Sequence, residues 1–200
     1  MTIKRTNLNR ALPWLYIVLA VIGLIISFAL TYDKIKIAQN PNYSPVCNIN
    51  PILSCGSVMK TKQSDIFGLP NTLFGIAGFS MLLMLGLVLL AGAKLKKWFW
   101  QLINAGALAG FLYFVYLFSQ AAFVIHEICP FCFVIWMITP PILWYTTIYN
   151  LKEKNINPKF LGDGLRNKII KHHADILITW YVLVFLTLFI KFYYYWKTLI

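Results

Sequence analysis

Of the chain's 200 residues, 60% are hydrophobic and only 12% charged, and the mean hydropathy is +0.69, far from soluble domains, where about a quarter of residues are charged. The net charge of +12 does not point to nucleic acid, because Lys and Arg cluster between apolar runs instead of forming a stripe with base-stacking aromatics. The composition predicts an all-α integral membrane protein, partnered by membrane lipid and not by nucleic acid.

A hydrocarbon core of about 30 Å takes about 20 apolar residues at helical rise. Five stretches qualify: Leu12 to Leu30, Thr72 to Ala93, Leu102 to Ile125, Ile128 to Tyr149, and Ile176 to Ile190 with a continuation towards Trp196. The first follows Lys4, Arg5 and Arg10 but is longer than the roughly 7–15 residues of a signal h-region, and no small-x-small cleavage site follows it. It reads as a retained helix.

The connection from Thr31 to Asn71 is long, and loops of such length are usually functional. Its first half is rich in Asn and Pro and reads as irregular chain, and it carries Cys47. After Pro51, the residues Ile52, Leu53, Val58 and Met59 are apolar and Lys60, Lys62 and Gln63 follow, a pattern that predicts a short interfacial helix bearing Cys55. The segment FGLPNTLFG, Phe67 to Gly75, opens the second span, with Pro70 and the glycines suited to a turn and close packing. Asn71 there is read either as a helix cap or as a hydrogen-bonding group for a ligand between helices.

The third span ends in His126 and Glu127, and the fourth starts at once with Ile128 and CPFC, Cys129 to Cys132. His172 and His173 fall in a basic connection and are expected to be solvated. The aromatic run 192–196 reads as an interfacial belt. With the N-terminus inside, twelve Lys and Arg lie in inner segments against six in outer ones, which predicts N-in topology and places all four cysteines outside, where disulfides persist.

A Cys-x-x-Cys at a helix start favours the thiolate of its first cysteine, through free amides and the helix dipole. Two cysteine pairs on one side suggest a relay, one dithiol exchanging with a partner and the other, at the bilayer edge, with something in the lipid. A structural zinc site and two inert disulfides are the alternatives; c-type haem is excluded because Phe133 stands where CxxCH needs His. No nucleotide fingerprint occurs, so a lipid-soluble quinone is the acceptor reached by elimination. A membrane scaffold or small transporter with structural cysteines is the reading from a different class. Transport predicts charges within the spans, and the assigned cores hold none.

The combination of Cys47, seven residues, Cys55, then Thr61, then FGLPNTLFG, then CPFC resembles the vitamin K epoxide reductase family, in its bacterial disulfide-forming branch, over the first four spans. The resemblance implies a single membrane domain over residues 1–200: four helices around a quinone, a capping loop with its short helix, and here a fifth span. It implies a quinone-dependent thiol oxidoreductase in a bacterial inner membrane. Cys132 would react with ubiquinone or menaquinone, Cys129 would pair with Cys132 and exchange with Cys55, and Cys47 would meet an external thiol protein. Quinone-site positions would be Asn71, Thr61, Phe74 and Trp136. Trp136 stands where the animal enzymes carry Tyr, so vitamin K epoxide itself is not the expected substrate. Because relatives carry a fused thioredoxin-like domain after a fifth helix and this chain stops at Ile200, a separate thioredoxin-fold partner is expected. His126 is a candidate proton donor.

Overall fold

The computed structural model describes residues 7–40, 42–50, 53–66, 68–156, 162–191 and 193. The chain order is α1 (Asn7–Gln39), α2 (Cys55–Met59), a two-residue antiparallel ladder of β1 (Asp65–Ile66) with β2 (Leu69–Pro70), then α3 (Asn71–Leu90), α4 (Lys97–Gln120), α5 (Pro130–Lys152), α6 (Asp163–Lys171) and α7 (His173–Lys191). Five of these helices are long and apolar enough to cross a membrane. They are apolar all round, and residues such as Ile25, Phe28, Met81, Met84, Ile178 and Phe189 stand more than half exposed, as expected of helices solvated by lipid. The chain is an all-α multi-pass membrane protein. Most of the predicted belt at 192–196 lies outside the described residues, and so does the run of the fifth span towards Trp196.

The bundle core follows from where small and polar residues fall. α1 and α3 pack on glycines: a Cβ on Gly23 would sit 2.5 Å from the Phe79 ring, one on Gly75 2.6 Å from Ser27 Oγ, and one on Gly86 3.1 Å from the main-chain oxygen of Pro13. Small residues let helix backbones approach where lipid offers no hydrophobic drive. At Gly86 the neighbour is backbone and cannot swing away. Gly86→Ala should therefore destabilise the bundle by about 1–3 kcal/mol, read as a lower thermal midpoint in detergent; an unchanged midpoint would mean that the two helices part freely.

Several polar groups inside the bundle are paired across helices, as hydrocarbon favours. Tyr16 and Thr146, both fully buried, share a hydrogen bond of 2.6 Å between α1 and α5. Buried Asn150 donates to Asn104 Oδ1 and to the Trp100 carbonyl of α4. Pro141 within α5 has no N–H to give the carbonyl of Met137 one turn before it, and the Tyr181 hydroxyl of α7 donates to that carbonyl instead at 2.5 Å. A further bond, Trp144 Nε1 to the His173 carbonyl, ties the N-terminal end of α7 to α5. His173 is thus not simply solvated as expected: its ring packs on Tyr145 and its Nδ1 is buried.

α1 departs from its expected end at Leu30. Its 33 residues span about 50 Å at helical rise, well beyond a hydrocarbon core. The extra turns, from Thr31 to Gln39, form the platform on which the long connection rests. Asp33, only 7% exposed, accepts from Tyr43 Oη at 2.9 Å. That bond holds the Tyr43 phenol above its ordinary range, so it remains a donor at neutral and mildly alkaline pH.

Candidate functional site: a cysteine relay over an apolar cavity

One main-chain contact brings the two cysteine pairs together. Leu53 bridges Ile128 in parallel, and the Ser54 amide donates to the Ile128 carbonyl at 3.1 Å, so Cys55, which follows Ser54, and Cys129, which follows Ile128, lie side by side. Cys47 and Cys55 form a disulfide with Cα atoms 5.7 Å apart, while Cys129 and Cys132 are free thiols. The Sγ atoms of Cys129 and Cys55 are 3.2 Å apart. Cys55 is fully buried, and Cys129 and Cys47 are nearly so. Exchange between the pairs therefore needs no large movement, because an attacking sulfur already stands against the disulfide.

Local sequence explains each placement. Ser54 caps α2, its Oγ accepting from the Ser57 amide, and Asn48 Oδ1 accepts from the Gly56 amide at 2.9 Å. The residue following Cys47 thus fixes the residue following Cys55. Cys129 is the N-cap of α5, with Pro130 in the first turn, and the Cys132 amide donates to its Sγ at 3.2 Å. A sulfur in the cap position takes the place of a capping oxygen, an arrangement that favours the thiolate. α4 reaches this end through one π-helical turn, Ala121–Ile125, closed by His126 with φ of 60°. That left-handed residue makes the connection to Cys129 short.

Beneath the sulfurs lies a cavity of about 100 Å³, walled among others by Leu30, Met59, Phe114, Leu117, Ile135 and Trp136. Cys129, Cys132 and Cys55 border it, as do Asn71, Thr61 and Tyr113. The Asn71 amide nitrogen donates to the Gln63 carbonyl at 2.6 Å, while its Oδ1 is buried without a partner among the described residues. Thr61, which borders the cavity, donates its hydroxyl to the Val58 carbonyl, 2.7 Å away. Trp136 is 7% exposed and stacks edge-on to Phe118. Phe74 does not belong to this set: it is 46% exposed and absent from the cavity wall, because Asn71, Thr72 and Gly75 take the inward face of α3 and the helical turn carries Phe74 outward. His126 likewise lies exposed, its Nδ1 against the Val124 carbonyl, and does not line the cavity.

The cap is latched as well as paired. Lys34 Nζ of α1 reaches Ser64 Oγ and Asp65 Oδ1, each at 2.5 Å, while Asn71 holds Gln63 from below. The ion pair is partly solvated and is discounted accordingly, to about 1 kcal/mol. Lys34→Met keeps the aliphatic stem and removes the latch. Alkylation of Cys129 by a small thiol reagent should then accelerate about fivefold, the population change that about 1 kcal/mol brings; an unchanged rate would mean that the bridge at Leu53 alone holds the cap. Sequence reading missed Lys34 and Tyr113. The signal for the latter was available, since Tyr113, Leu117 and Gln120 follow helical spacing.

The sulfurs stand where thiol–disulfide exchange can occur, at the edge of an apolar cavity. A family model described as the vitamin K epoxide reductase family matches residues 14–147, a stretch that holds α3 and α4 whole, most of α1 and α5, and every cysteine. The chain therefore belongs to that family, whose members are membrane oxidoreductases linking disulfide chemistry to quinones.

Proposed function

We propose that the protein oxidises a thioredoxin-fold partner and passes the electrons through its two cysteine pairs to ubiquinone or menaquinone, so that disulfides form outside the cytoplasmic membrane. What carries this reading is the 3.2 Å approach of Cys129 to the disulfide-bonded Cys55 above a cavity that Cys132 lines. The excess of Lys and Arg between the inner ends of the helices supports a cytoplasmic N-terminus, with the cysteines on the outer side.

In this reading a partner thiolate attacks Cys47, the partner leaves oxidised, and Cys47 and Cys55 become thiols. Cys55 then attacks Cys129 of a Cys129–Cys132 disulfide and releases Cys132. Cys47 resolves the mixed disulfide by attacking Cys55. The result is the state seen here, with Cys47 and Cys55 joined and Cys129 and Cys132 free. The lining fits a quinone and its quinol: apolar walls for the ring, an Asn71 Oδ1 without a partner among the described residues that can accept from a quinol hydroxyl, and a free thiol at the margin. A bound quinone supplies a sink for two electrons and two protons, so the two thiols become a disulfide as the quinone becomes quinol. Asn71 Oδ1 would accept from a quinol hydroxyl, and the cap excludes water from the sulfurs.

The test is anaerobic quinone reduction by purified protein driven by a reduced thioredoxin-fold protein. Quinol formed in step with partner disulfide supports the proposal. Partner oxidation without quinol, or neither, removes it.

A further inference from the structure

Resting on the quinone reading above, we propose that Tyr113 of α4 is a quinone-binding residue whose hydroxyl donates a hydrogen bond to a ring carbonyl oxygen. Tyr113 lines the same cavity as Cys132 and Asn71, and its Oη is buried with no partner among the described residues. Among the described residues no other tyrosine hydroxyl is buried without a partner; Tyr16 pairs with Thr146, Tyr181 with the Met137 carbonyl and Tyr43 with Asp33. Two neighbouring hydroxyls are already spent as donors, Thr61 on the Val58 carbonyl and Ser64 on the Met59 carbonyl. A buried hydroxyl without a partner destabilises the protein that carries it. Phenylalanine would fill the same space at no such cost, so the oxygen is explained by a ligand that accepts from it.

The two orphaned atoms in the cavity are complementary. Asn71 Oδ1 can only accept, and the Tyr113 hydroxyl can donate. A quinone carbonyl needs a donor, and a quinol hydroxyl needs an acceptor, so the pair serves both ends of the reaction. Chemically, the thiols of Cys129 and Cys132 lose two protons and two electrons and join as a disulfide, while the quinone gains both protons and both electrons as quinol. Tyr113 passes one of these protons to the ring oxygen and is reprotonated from the thiols, with no net change. Hydrogen bonding to the carbonyl also draws charge towards oxygen as Cys132 delivers electrons.

The test compares wild type with Tyr113→Phe in detergent, using a short-tailed benzoquinone. Without quinone, the variant should melt no lower than wild type, since only an unpaired hydroxyl has been removed. Added quinone should raise the wild-type midpoint and raise that of the variant less. Single-turnover oxidation of the reduced Cys129 and Cys132 thiols by quinone should slow at least tenfold, while exchange of the Cys47–Cys55 disulfide with the partner stays within twofold of wild type. An undiminished quinone shift and a rate within twofold would overturn the assignment, as would a lowered midpoint without quinone, which would make the hydroxyl structural. If wild type itself shows neither a quinone shift nor quinone-dependent oxidation, the quinone reading fails, and not this residue's role alone.

Discussion

Cys132→Ala is expected to lower quinone reduction by at least about a thousandfold, the scale reached when a reacting nucleophile is deleted, while one equivalent of partner is still oxidised per protein. The asymmetry comes from the geometry. The Cys47–Cys55 disulfide is complete without Cys132, so a reduced partner can spend it once. Cys129, 3.2 Å from Cys55, can still displace Cys47, but it has no second sulfur on which to close. Electrons therefore stop at the first pair. Stopped-flow partner oxidation, with quinol measured in parallel, separates the single burst from turnover. Steady quinol production above a few per cent of wild type would show that another sulfur delivers the electrons and would remove Cys132 from the terminal position.

Apolar run length carries much of the fold, and the four spans around the cysteines emerge as α1, α3, α4 and α5. Their ends are less legible. α1 passes its apolar run because Asp33 and Lys34 find Tyr43, Ser64 and Asp65, 10 to 31 residues further along the chain, and such tertiary pairing leaves no periodic trace in the helix itself. The cysteines are legible as chemistry, whereas their alignment depends on a bridge between Leu53 and Ile128 that no local pattern encodes. Phe74 shows the opposite failure. It sits inside a recognisable motif, yet a helix turns one residue by about 100°, and motif membership does not say which side of α3 faces inward. Tyr113 shares helical spacing with Leu117 and Gln120, which places it on the cavity face, but in an aromatic span that spacing does not single it out, and the unpaired state of its oxygen does. The fifth span was legible as a helix but not in its attachment, which depends on the carbonyl that Pro141 leaves free.

Cys47→Ala should accumulate a Cys55–Cys129 disulfide and lose partner-driven turnover. Once Cys55 has attacked Cys129, the mixed disulfide is resolved only if a second thiol attacks Cys55, and Cys47, nearly buried beside it, is placed for that step. Without it Cys132 is left as a free thiol and the cap is covalently tied to α5. Non-reducing peptide mapping reads the crosslink directly. Stability gives an independent readout: the native disulfide joins residues 8 apart and the trapped one residues 74 apart, for which chain entropy gives stabilisations of about 2.5 and about 4.5 kcal/mol. The trapped variant should melt above wild type and lose that margin on reduction. A small dithiol small enough to pass the cap should replace Cys47 as the resolving group and restore quinone reduction. Recovery of Cys55 and Cys129 as two free thiols from freshly purified, air-exposed Cys47→Ala protein would mean that the sulfurs do not exchange directly, and the order of the relay would fall with it.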